Sequence, residues 1–336
     1  MQIQQQLSLK PYNSFGLDVL AENFAAFSNL NELEELLTVA EQQPLLILGG
    51  GSNILLTKPV DGLVLKNEIN GIEKAGEDEE HIYLRVGAGE NWHRFVLYCI
   101  SHRYAGAENL SLIPGNVGAG PMQNIGAYGV ELKDIFHSLE AWHIGDNKLV
   151  TFSKEDCAFG YRESVFKNKY RGQFIITSVT FKLNKKPVYH VEYGAITQEL
   201  EKEGVTELSI AAISEAVIRI RRSKLPDPAV IGNAGSFFKN PEISIEQFEQ
   251  LKKAFPAIVG YPVGTEHIKV AAGWLIEQAG WKGYRQGDAG CHEKQALVLV
   301  NYGNASGEQI YLLSEKIIHS VNDKFGISLQ REVNIV

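Results

Sequence analysis

The chain has 336 residues, of which 44 % are apolar and 21 % are charged, and its formal net charge is −8. This length exceeds what one ordinary hydrophobic core accommodates, so we expect two or three domains. An acidic chain lacks the basic excess of a general nucleic-acid-binding protein, and no apolar run approaches the ~20 residues of a membrane span.

The first half of the chain alternates helical and extended patterns. A helix is predicted over Asn31–Ala40, with Asn31 and Glu34 as a capping box, because its leucines share one face. The other predicted elements are strands at Leu45–Leu48, Gly62–Lys66, Ile82–Val86 and Phe174–Leu183, a helix at Asn91–Arg103, and two strands about the turn Gly145–Asn147.

The second half contains several predicted helices, of which Ser306–Phe325 is the longest. A helix near Ile213–Arg222 ends before Pro226 and Pro228, which we interpret as a domain boundary because the residue before a proline disfavours helix. The other predicted elements are helices at Ser244–Phe255, Ala271–Ala279 and Ser306–Phe325, and strands at Ala296–Val300 and Ile327–Val336. The helices and strands are segregated, which indicates the α+β class.

Two glycine-rich loops carry the clearest functional signal. The first, "GGGSN" (Gly49–Asn53), follows a buried strand directly, and the second, "IPGNVGAGPMQNIGAYG" (Ile113–Gly129), keeps apolar residues that a solvated linker would lack. Glycine lets backbone N–H groups turn towards one point, so the first loop is interpreted as a pyrophosphate cradle or simply as a tight turn. The two loops together predict a large nucleotide cofactor. The first loop matches neither a P-loop nor GxGxxG.

Six motifs resemble one known family. "LGGGSN", "IPGNVGAGPMQNIGAYG", "YRESVFK", "RRSKLPDP", "GNAGSFFKNP" and the terminal segment with Glu332 occur in the order found in the UDP-N-acetylenolpyruvoylglucosamine reductases. The resemblance extends from about Phe15 to Val336, and "VEYGAIT" around Tyr193 is similar to the longer, tyrosine-loop subgroup. Leu112 departs from the family, in which many members have glycine before Ile-Pro-Gly.

The resemblance implies an α+β fold of the vanillyl-alcohol oxidase and p-cresol methylhydroxylase (PCMH-like) type. Two FAD-binding subdomains would cover residues 1–68 and 69–225, with the terminal strand 326–336 returning to the second, and a substrate-binding domain would cover 226–325. FAD would be bound non-covalently and reduced by NADPH. The implied FAD-binding residues are Gly49, Gly50, Gly51, Ser52, Asn53, Pro114, Gly115, Asn116, Val117, Gly118, Gln123, Asn124, Ile125, Gly126, Ala127, Tyr128 and Arg162.

The implied reaction passes hydride from flavin N5 to C3 of an enolpyruvyl ether and a proton from Ser236 to C2, giving UDP-N-acetylmuramate. Gly235 would remove bulk beside Ser236. The alternative for a lone glutamate such as Glu332 is a solvated sheet residue, but the resemblance makes it a partner of the enolic intermediate. Arg162 resembles the arginine that meets flavin and substrate carboxylate, whereas an isolated arginine is usually a surface ion pair.

The resemblance also implies a set of residues for the UDP-sugar. Phenol, ammonium and amide groups can all donate hydrogen bonds to a diphosphate. The basic run that contains Lys224 has a second interpretation, as cations at a helix C-terminus. The implied substrate-binding residues are Tyr193, Lys224, Asn240, Tyr261, Lys282 and Gln295.

Other classes of protein have less support. The nine histidines form no metal-ligand pair, so no metal is expected, and GxSxG of serine hydrolases is absent. Three widely spaced cysteines and the absence of a signal-peptide pattern predict a cytoplasmic protein, and we expect a monomer. The remaining alternatives are another flavin oxidoreductase of the same fold and a flavin- or nucleotide-binding protein without catalysis.

Overall fold

The computed structural model describes residues 2–40 and 43–336. Its contacts group the chain into two compact units, and the chain passes from one to the other more than once. The first unit contains residues 21–51 and 61–223 with the start of the chain, and the second contains residues 8–20, 52–60 and 224–336.

The secondary structure is mixed, as the α+β prediction requires. The strands are β1 (Gln4–Ser8), β2 (Leu20–Phe27), β3 (Leu45–Leu48), β4 (Ile54–Leu55), β5 (Val60–Asn67), β6 (Ile72–Glu77), β7 (His81–Gly87), β8 (Gly126–Ala127), β9 (Val130–Glu131), β10 (Phe136–His143), β11 (Lys148–Ser153), β12 (Phe174–Asn184), β13 (Gly232–Ser236), β14 (Glu242–Ser244), β15 (Gly260–Val263), β16 (His267–Val270), β17 (Arg285–Gln286), β18 (Ala289–Cys291), β19 (Val298–Asn301) and β20 (Asn334–Ile335). The α-helices are α1 (Leu30–Val39), α2 (Trp92–Ser101), α3 (Leu132–Ile135), α4 (Gly194–Lys202), α5 (Ile210–Lys224), α6 (Ile245–Ala254), α7 (Ala272–Gln278) and α8 (Gly307–Phe325).

The first unit contains two larger sheets, apart from single residues at strand ends, and the short pair β8-β9. One has the order β1-β2-β5-β3, in which β3 and β5 are parallel, and the other has the order β11-β10-β12-β7-β6 and is antiparallel throughout. The core of the five-stranded sheet contains Trp92, Phe95 and Phe181, and the centroids of their rings lie 4.5–5.8 Å apart. Such aromatic packing buries a large apolar area per residue.

Helix α1 lies close to its predicted position but has a different cap. The N-cap is Asn29, whose side chain accepts the Glu32 N–H at 3.0 Å, and Glu32 in turn accepts the Ser28 N–H at 2.7 Å. The predicted Asn31 and Glu34 capping box is therefore wrong. Two asparagines two residues apart offer alternative starts, and the selected start buries Leu33 and Leu36.

The second unit contains the sheets β13-β19-β18-β17 and β14-β16-β15 and the pair β20-β4. The long helix α8 begins with the predicted capping box of Ser306 and Gln309, and Gly326 ends it in the left-handed conformation with φ 64°. The predicted helix ends are confirmed here because cap chemistry and apolar periodicity agree.

The C-terminal segment differs from its predicted form. Only Asn334 and Ile335 form a strand, and they pair in parallel with Ile54 and Leu55 rather than with a strand of the 69–225 segment. Leu329 and Val333 are buried, as their apolar character predicts. Among the residues that the structure describes, no helix has the length and apolar character needed to cross a membrane.

Candidate active site

The first glycine loop begins where β3 ends. Leu48, the last residue of β3, pairs with Lys66 of β5, and the Lys66 ammonium donates to the Gly49 carbonyl at 2.6 Å. Partial burial lowers the pKa of Lys66, while the nearby Glu68 carboxylate opposes that shift. Gly51 has φ 60°, a conformation that favours glycine. Strand β3, of which only Leu48 is buried, and a lysine from its neighbour β5 therefore fix the loop.

The second glycine loop lies against the turn that precedes α2. The Val117 N–H donates to the Glu90 carbonyl at 2.8 Å, and the Gly118 N–H donates to the Ala88 carbonyl at 2.9 Å. A Cβ at Gly118 would lie 2.5 Å from the Ala88 Cβ, so only glycine fits there. Val117 is fully buried, as the loop's apolar content predicts, whereas Met122 is exposed.

The structure brings the two glycine loops into contact. A Cβ at Gly50 would lie 2.7 Å from the Gly115 Cα and 2.9 Å from Asn116 Oδ1. Asn116 is held by its own amide, which donates to the Gly89 carbonyl at 2.8 Å. The loops predicted to share one cofactor are thus neighbours, and the absence of a side chain at Gly50 permits their close approach.

The turn of the second loop is fixed by a buried asparagine. Asn124 has φ 44°, and its amide nitrogen donates to Glu131 Oε2 at 3.1 Å and to the Gly160 carbonyl at 3.0 Å. Its Oδ1 accepts the Lys133 N–H at 3.0 Å. These bonds occupy the side chain of a predicted cofactor-binding residue, so a ligand would meet Asn124 through its backbone.

Arg162 lies against the end of the same loop. Its Nη2 donates to the Gly126 carbonyl at 2.7 Å, and a Cβ at Gly126 would lie 3.2 Å from its Nη1. Arg162 itself has φ 55°, an uncommon value for a residue with a side chain. Such conformations persist where surrounding contacts determine them, and they cluster at functional sites.

A second arginine joins this group, and the sequence reasoning did not select it. Arg221 in α5 donates from Nε to the Leu112 carbonyl at 3.2 Å. Burial lowers the pKa of Arg221, the Arg162 charge acts in the same direction, and the Tyr128 phenol opposes both. Burial also raises the pKa of Tyr128. Two guanidinium groups beside the second glycine loop favour a ligand with negative charge.

Leu112, at the position where the resemblance implies glycine, is held in the left-handed conformation, with φ 58°. Its N–H donates to His93 Nδ1 at 3.0 Å, and its carbonyl accepts from Arg221. Burial lowers the pKa of His93, with the Arg222 and Arg221 charges acting in the same direction, and this favours the neutral imidazole that can accept the bond. The departure from the family pattern thus keeps the backbone shape that glycine adopts easily.

The tyrosine-loop residue Tyr193 also adjoins the second glycine loop. It precedes α4 as the N-cap, is 50 % exposed, and its ring meets the Tyr128 ring edge-on with centroids 5.4 Å apart. Buried Asn109 donates to the carbonyls of Tyr128, at 3.0 Å, and His190, at 2.8 Å. Asn109 therefore fastens the tyrosine segment to the loop, a contact with no local sequence signal.

In the second unit, Ser236 ends β13 directly after a β-bulge. Asn233 pairs with Val300 and Ser236 pairs with Val298, so β13 contains one residue more than β19 between these pairs. Gly235 has φ 69°, and no atom lies within 4 Å of the position that its Cβ would occupy. The backbone conformation therefore favours glycine here, and the expectation that Gly235 removes bulk beside Ser236 stays a prediction.

Glu332 lies next to this bulge. Its N–H donates at 2.8 Å to the carbonyl of Phe237, the residue after Ser236. Phe237 is fully buried and packs edge-on against Phe15, with ring centroids 6.3 Å apart. The Asn53 amide donates to the Glu332 carbonyl at 3.3 Å. The structure thus brings Ser236, Glu332 and Asn53 of the predicted site together.

Three predicted substrate residues surround α7. Asn240 Oδ1 accepts the Ala272 N–H at 3.0 Å, and Gln295 Oε1 lies 3.1 Å from the position that a Cβ at Gly273 would take. Lys282 forms an ion pair with Glu277 of α7 at 2.9 Å. Asn240 therefore has a fixed amide orientation, while the Lys282 ammonium already has a carboxylate partner.

The other two substrate residues in this unit are accessible to solvent. Tyr261 in β15 is 54 % exposed and pairs with Lys269 of β16, and Lys224, at the end of α5, is also exposed. Within residues 2–40 and 43–336, no group of three histidine, cysteine or acidic side chains is arranged to hold a metal ion. The three cysteines are buried thiols.

Comparison with known proteins finds a family model that matches each of two segments of the chain. Residues 227–336 match the model for the C-terminal domain of UDP-N-acetylenolpyruvoylglucosamine reductase, and residues 21–153 match a model of an FAD binding domain. The reductases of Pseudomonas putida and Flavobacterium johnsoniae are 49 % and 50 % identical to this chain over 337 residues. These alignments cover all of this chain and 99 % and 100 % of the two relatives.

A solved structure has the same fold. The crystal structure of UDP-N-acetylenolpyruvylglucosamine reductase from Thermus caldophilus superposes with a TM-score of 0.70 at 24 % identity, over 100 % of this chain and 99 % of that one. The α+β, FAD-binding fold is therefore confirmed over the full length described.

Proposed function

Because this chain belongs to the UDP-N-acetylenolpyruvoylglucosamine reductase family, we propose that Ser236, Glu332 and Arg162 perform the chemistry of its reaction. The protein is an oxidoreductase that reduces the enolpyruvyl ether of UDP-N-acetylglucosamine to UDP-N-acetylmuramate in peptidoglycan precursor synthesis. It uses FAD as cofactor and NADPH as reductant.

The residues of the first unit fit FAD. The two glycine loops are in contact, and the N–H groups of Val117 and Gly118 are bonded within the protein, so we propose that other backbone N–H groups of these loops bind the pyrophosphate. Two guanidinium groups beside Gly126 and Leu112 offer positive charge to an electron-rich ring edge. These residues would hold FAD, and the chemistry that it would supply when bound is hydride transfer from NADPH to C3 of the enolpyruvyl group. The protein then has to supply charge stabilisation and a proton.

We assign the proton to Ser236. Hydride addition at C3 leaves negative charge at C2, in conjugation with the carboxylate, so the reaction requires a nearby donor. A serine hydroxyl is a weak acid, but a carbanionic carbon is a strong enough base to take its proton. The single observation that supports this role is the Gly235 bulge, which presents Ser236 beside the Phe237 carbonyl that binds Glu332.

Glu332 is proposed as the partner of the enolic intermediate. Its backbone is fastened at both ends, by Phe237 through its N–H and by Asn53 through its carbonyl. A side chain on so fixed a backbone can act on one defined point of the substrate. We propose that it acts as a neutral carboxylic acid, which would lose its role in a Glu332→Gln variant.

Arg162 is proposed to bind the substrate carboxylate. A guanidinium group pairs with a carboxylate through two parallel hydrogen bonds, which draws charge from the adjacent double bond. The bond from its Nη2 to the Gly126 carbonyl orients the group, while Tyr193 and the residues around α7 bind the UDP-sugar.

The remaining properties follow from the same argument as proposals. We propose a cytoplasmic monomer, since its three thiols are unpaired and the nucleotide sugars that it consumes are soluble. The three-domain division with limits at residues 68 and 225 is retained as our prediction of domain organisation.

The decisive experiment separates the two half-reactions of a Ser236→Ala variant. We expect NADPH to bleach the flavin at the wild-type rate, because Ser236 takes no part in that step. Reoxidation of the flavin by the enolpyruvyl substrate should slow by roughly 10²- to 10⁴-fold, the usual contribution of a proton donor. Reoxidation at the wild-type rate would exclude Ser236 as the donor.

A further inference from the structure

The buried side chain of Asn233 is fully engaged directly before the bulge that carries Ser236. Its amide nitrogen donates to the Ile231 carbonyl at 2.8 Å and to the Pro226 carbonyl at 3.1 Å. Its Oδ1 accepts the Gly235 N–H at 2.9 Å. An asparagine amide has two donor hydrogens, so both are used within the protein.

The ladder pairs Asn233–Val300 and Ser236–Val298 hold the two ends of the bulge, and the Asn233 side chain holds its interior. An extra residue in one strand leaves a backbone group without its ladder partner, and Asn233 Oδ1 supplies the partner for the Gly235 N–H. No atom lies within 4 Å of the position that a Cβ of Gly235 would take, so side-chain packing there does not fix the conformation. Glycine is also the residue that changes conformation at the lowest cost.

We propose that Asn233 is a positioning residue that holds the Gly235 bulge and thereby aims the Ser236 hydroxyl at the substrate. This inference rests on the proposed role of Ser236 as proton donor. Asn233 touches none of the reacting atoms and acts only through the backbone between it and Ser236. A reacting group displaced by about 1 Å costs about 100-fold in rate, which sets the size of the expected effect.

The test measures both half-reactions in Asn233→Ala and in a matched control, Asn301→Ala. Asn301 is buried in the neighbouring strand β19 and also makes three side-chain hydrogen bonds, to the Phe15 carbonyl at 3.0 Å and from the N–H groups of Gly303 at 2.9 Å and Ala305 at 3.0 Å. Both variants lose buried hydrogen bonds and should be less stable.

We expect Asn233→Ala to be reduced by NADPH at the wild-type rate and to be reoxidised by substrate about 100-fold more slowly, with unchanged substrate affinity. Asn301→Ala should lose stability without a selective loss of either step. Reoxidation of Asn233→Ala at the wild-type rate, or an equal loss of both steps in both variants, would overturn the proposal.

A double variant separates this proposal from the function of Ser236. If Asn233 acts through Ser236, Asn233→Ala should slow reoxidation no further in a Ser236→Ala background, because the group that it aims is gone. Additive losses would overturn the positioning role. Wild-type reoxidation in Ser236→Ala alone would instead remove the proposed function, so the two failures are distinguishable.

Two further variants apply if Asn233→Ala does not fold. Gly235→Ala strains the bulge at φ 69° without touching the buried amide, and it should show the same selective loss. Asn233→Asp keeps an oxygen towards Gly235 but faces the carbonyls of Pro226 and Ile231, which disfavours a charged carboxyl. Reoxidation relative to wild type should therefore recover as the pH falls. The proposal would be refuted if reoxidation of Asn233→Asp did not recover as the pH falls and Gly235→Ala were reoxidised at the wild-type rate.

Discussion

At the scale of single residues, burial determines whether the pKa of a carboxyl group that accepts a backbone hydrogen bond is lowered or raised. Glu32 accepts the Ser28 N–H at 2.7 Å near the surface, and Glu108 accepts the Gly106 N–H at 2.6 Å in the interior. The Ser28 bond lowers the pKa of Glu32, whereas burial raises the pKa of Glu108 against the effects of its backbone bonds and of His190. Glu108 Oε1 is buried without a hydrogen-bond partner.

Because the two pKa shifts are opposite, replacing each glutamate by neutral glutamine should change the free energy of unfolding in opposite directions. A carboxyl with a raised folded pKa favours the folded state at pH below its unfolded pKa of about 4.3, and this contribution is lost as the pH rises through the folded pKa. Glu108→Gln should therefore raise the free energy of unfolding at pH 7 and flatten its dependence on pH. Glu32→Gln should lower that free energy at pH 7, with the difference fading in acid.

Urea unfolding at a series of pH values from about 3 to about 8 measures both effects, because the Glu32 contribution is lost only below its unfolded pKa of about 4.3. Glutamine keeps an oxygen for the Gly106 N–H and replaces the unpartnered Glu108 oxygen by an amide nitrogen. A Glu108→Gln variant that is less stable than wild type at pH 7 would show that the charged carboxylate has a stabilising partner.

Two arginines of α5, Arg221 and Arg219, differ in their surroundings. Arg221 is partly buried beside Leu112 and Tyr128, whereas Arg219, with a side chain that is 38 % exposed, lies near three glutamates, with Glu199 at 3.3 Å. We expect Arg221→Met to weaken FAD binding by about tenfold or more, because a charge-assisted contact in a partly buried site contributes about 1.5–3 kcal/mol. Arg219→Met should bind FAD as wild type does, since exposed ion pairs contribute little.

The measurement is the fluorescence of FAD released on dilution of the purified variants. A loss of FAD in Arg219→Met equal to that in Arg221→Met would contradict the assignment and indicate a general effect on α5. Wild-type FAD retention in Arg221→Met would place this guanidinium outside the cofactor site.

At the scale of elements, the sequence predicted best where local signals agree. The end of α8 at Gly326 and the turn between β10 and β11 combine turn chemistry with apolar periodicity, and both are confirmed. Short strands such as β20 were overextended because two paired residues have no periodicity of their own. The sequence analysis did not select Asn109, Arg221 or Asn233 as site residues. Asn109 and Arg221 contact segments that are distant in the chain, and Asn233 binds a backbone N–H group, so neither kind of contact leaves a sequence pattern.

The first residues of two helices show how tertiary contact overrides helix propensity. Gly307 begins α8, and a Cβ there would overlap the Leu56 carbonyl and lie 2.9 Å from the Thr57 Cα. Gly194 begins α4, and a Cβ there would have no atom within 4 Å. Alanine is the better helix former at both positions, by about 1 kcal/mol in a helix interior.

We therefore expect Gly307→Ala to destabilise the protein by roughly 1–3 kcal/mol, because backbone has to move to admit the methyl group. Gly194→Ala should be neutral or stabilising by up to about 1 kcal/mol. Chemical unfolding of the two variants checks the signs. A Gly307→Ala variant as stable as Gly194→Ala would mean that α8 shifts away from Leu56 at little cost.

At the scale of the whole molecule, the chain segments of the second unit are far apart in sequence. Residues 227–336 match the C-terminal domain model, yet the compact unit also contains residues 8–20 and 52–60. Phe15 packs on Phe237 and its carbonyl accepts from the Asn301 amide at 3.0 Å, and Ile54 and Leu55 pair with β20. Sequence patterns could not predict this arrangement because none of these short segments has a partner nearby in the chain.

This arrangement predicts that residues 224–336 do not fold alone. Without residues 8–20 and 52–60, the fragment would expose Phe237, leave the Asn301 amide without its carbonyl and leave β20 without a partner. We expect no cooperative thermal transition and poorly dispersed amide resonances from the fragment. A fusion that joins residues 8–20 and 52–60 to it through flexible linkers should unfold cooperatively, because the linkers restore those contacts at the modest entropic cost of closing loops. Cooperative unfolding of the fragment without them would show that the bulge carrying Ser236 forms independently of the N-terminal segments.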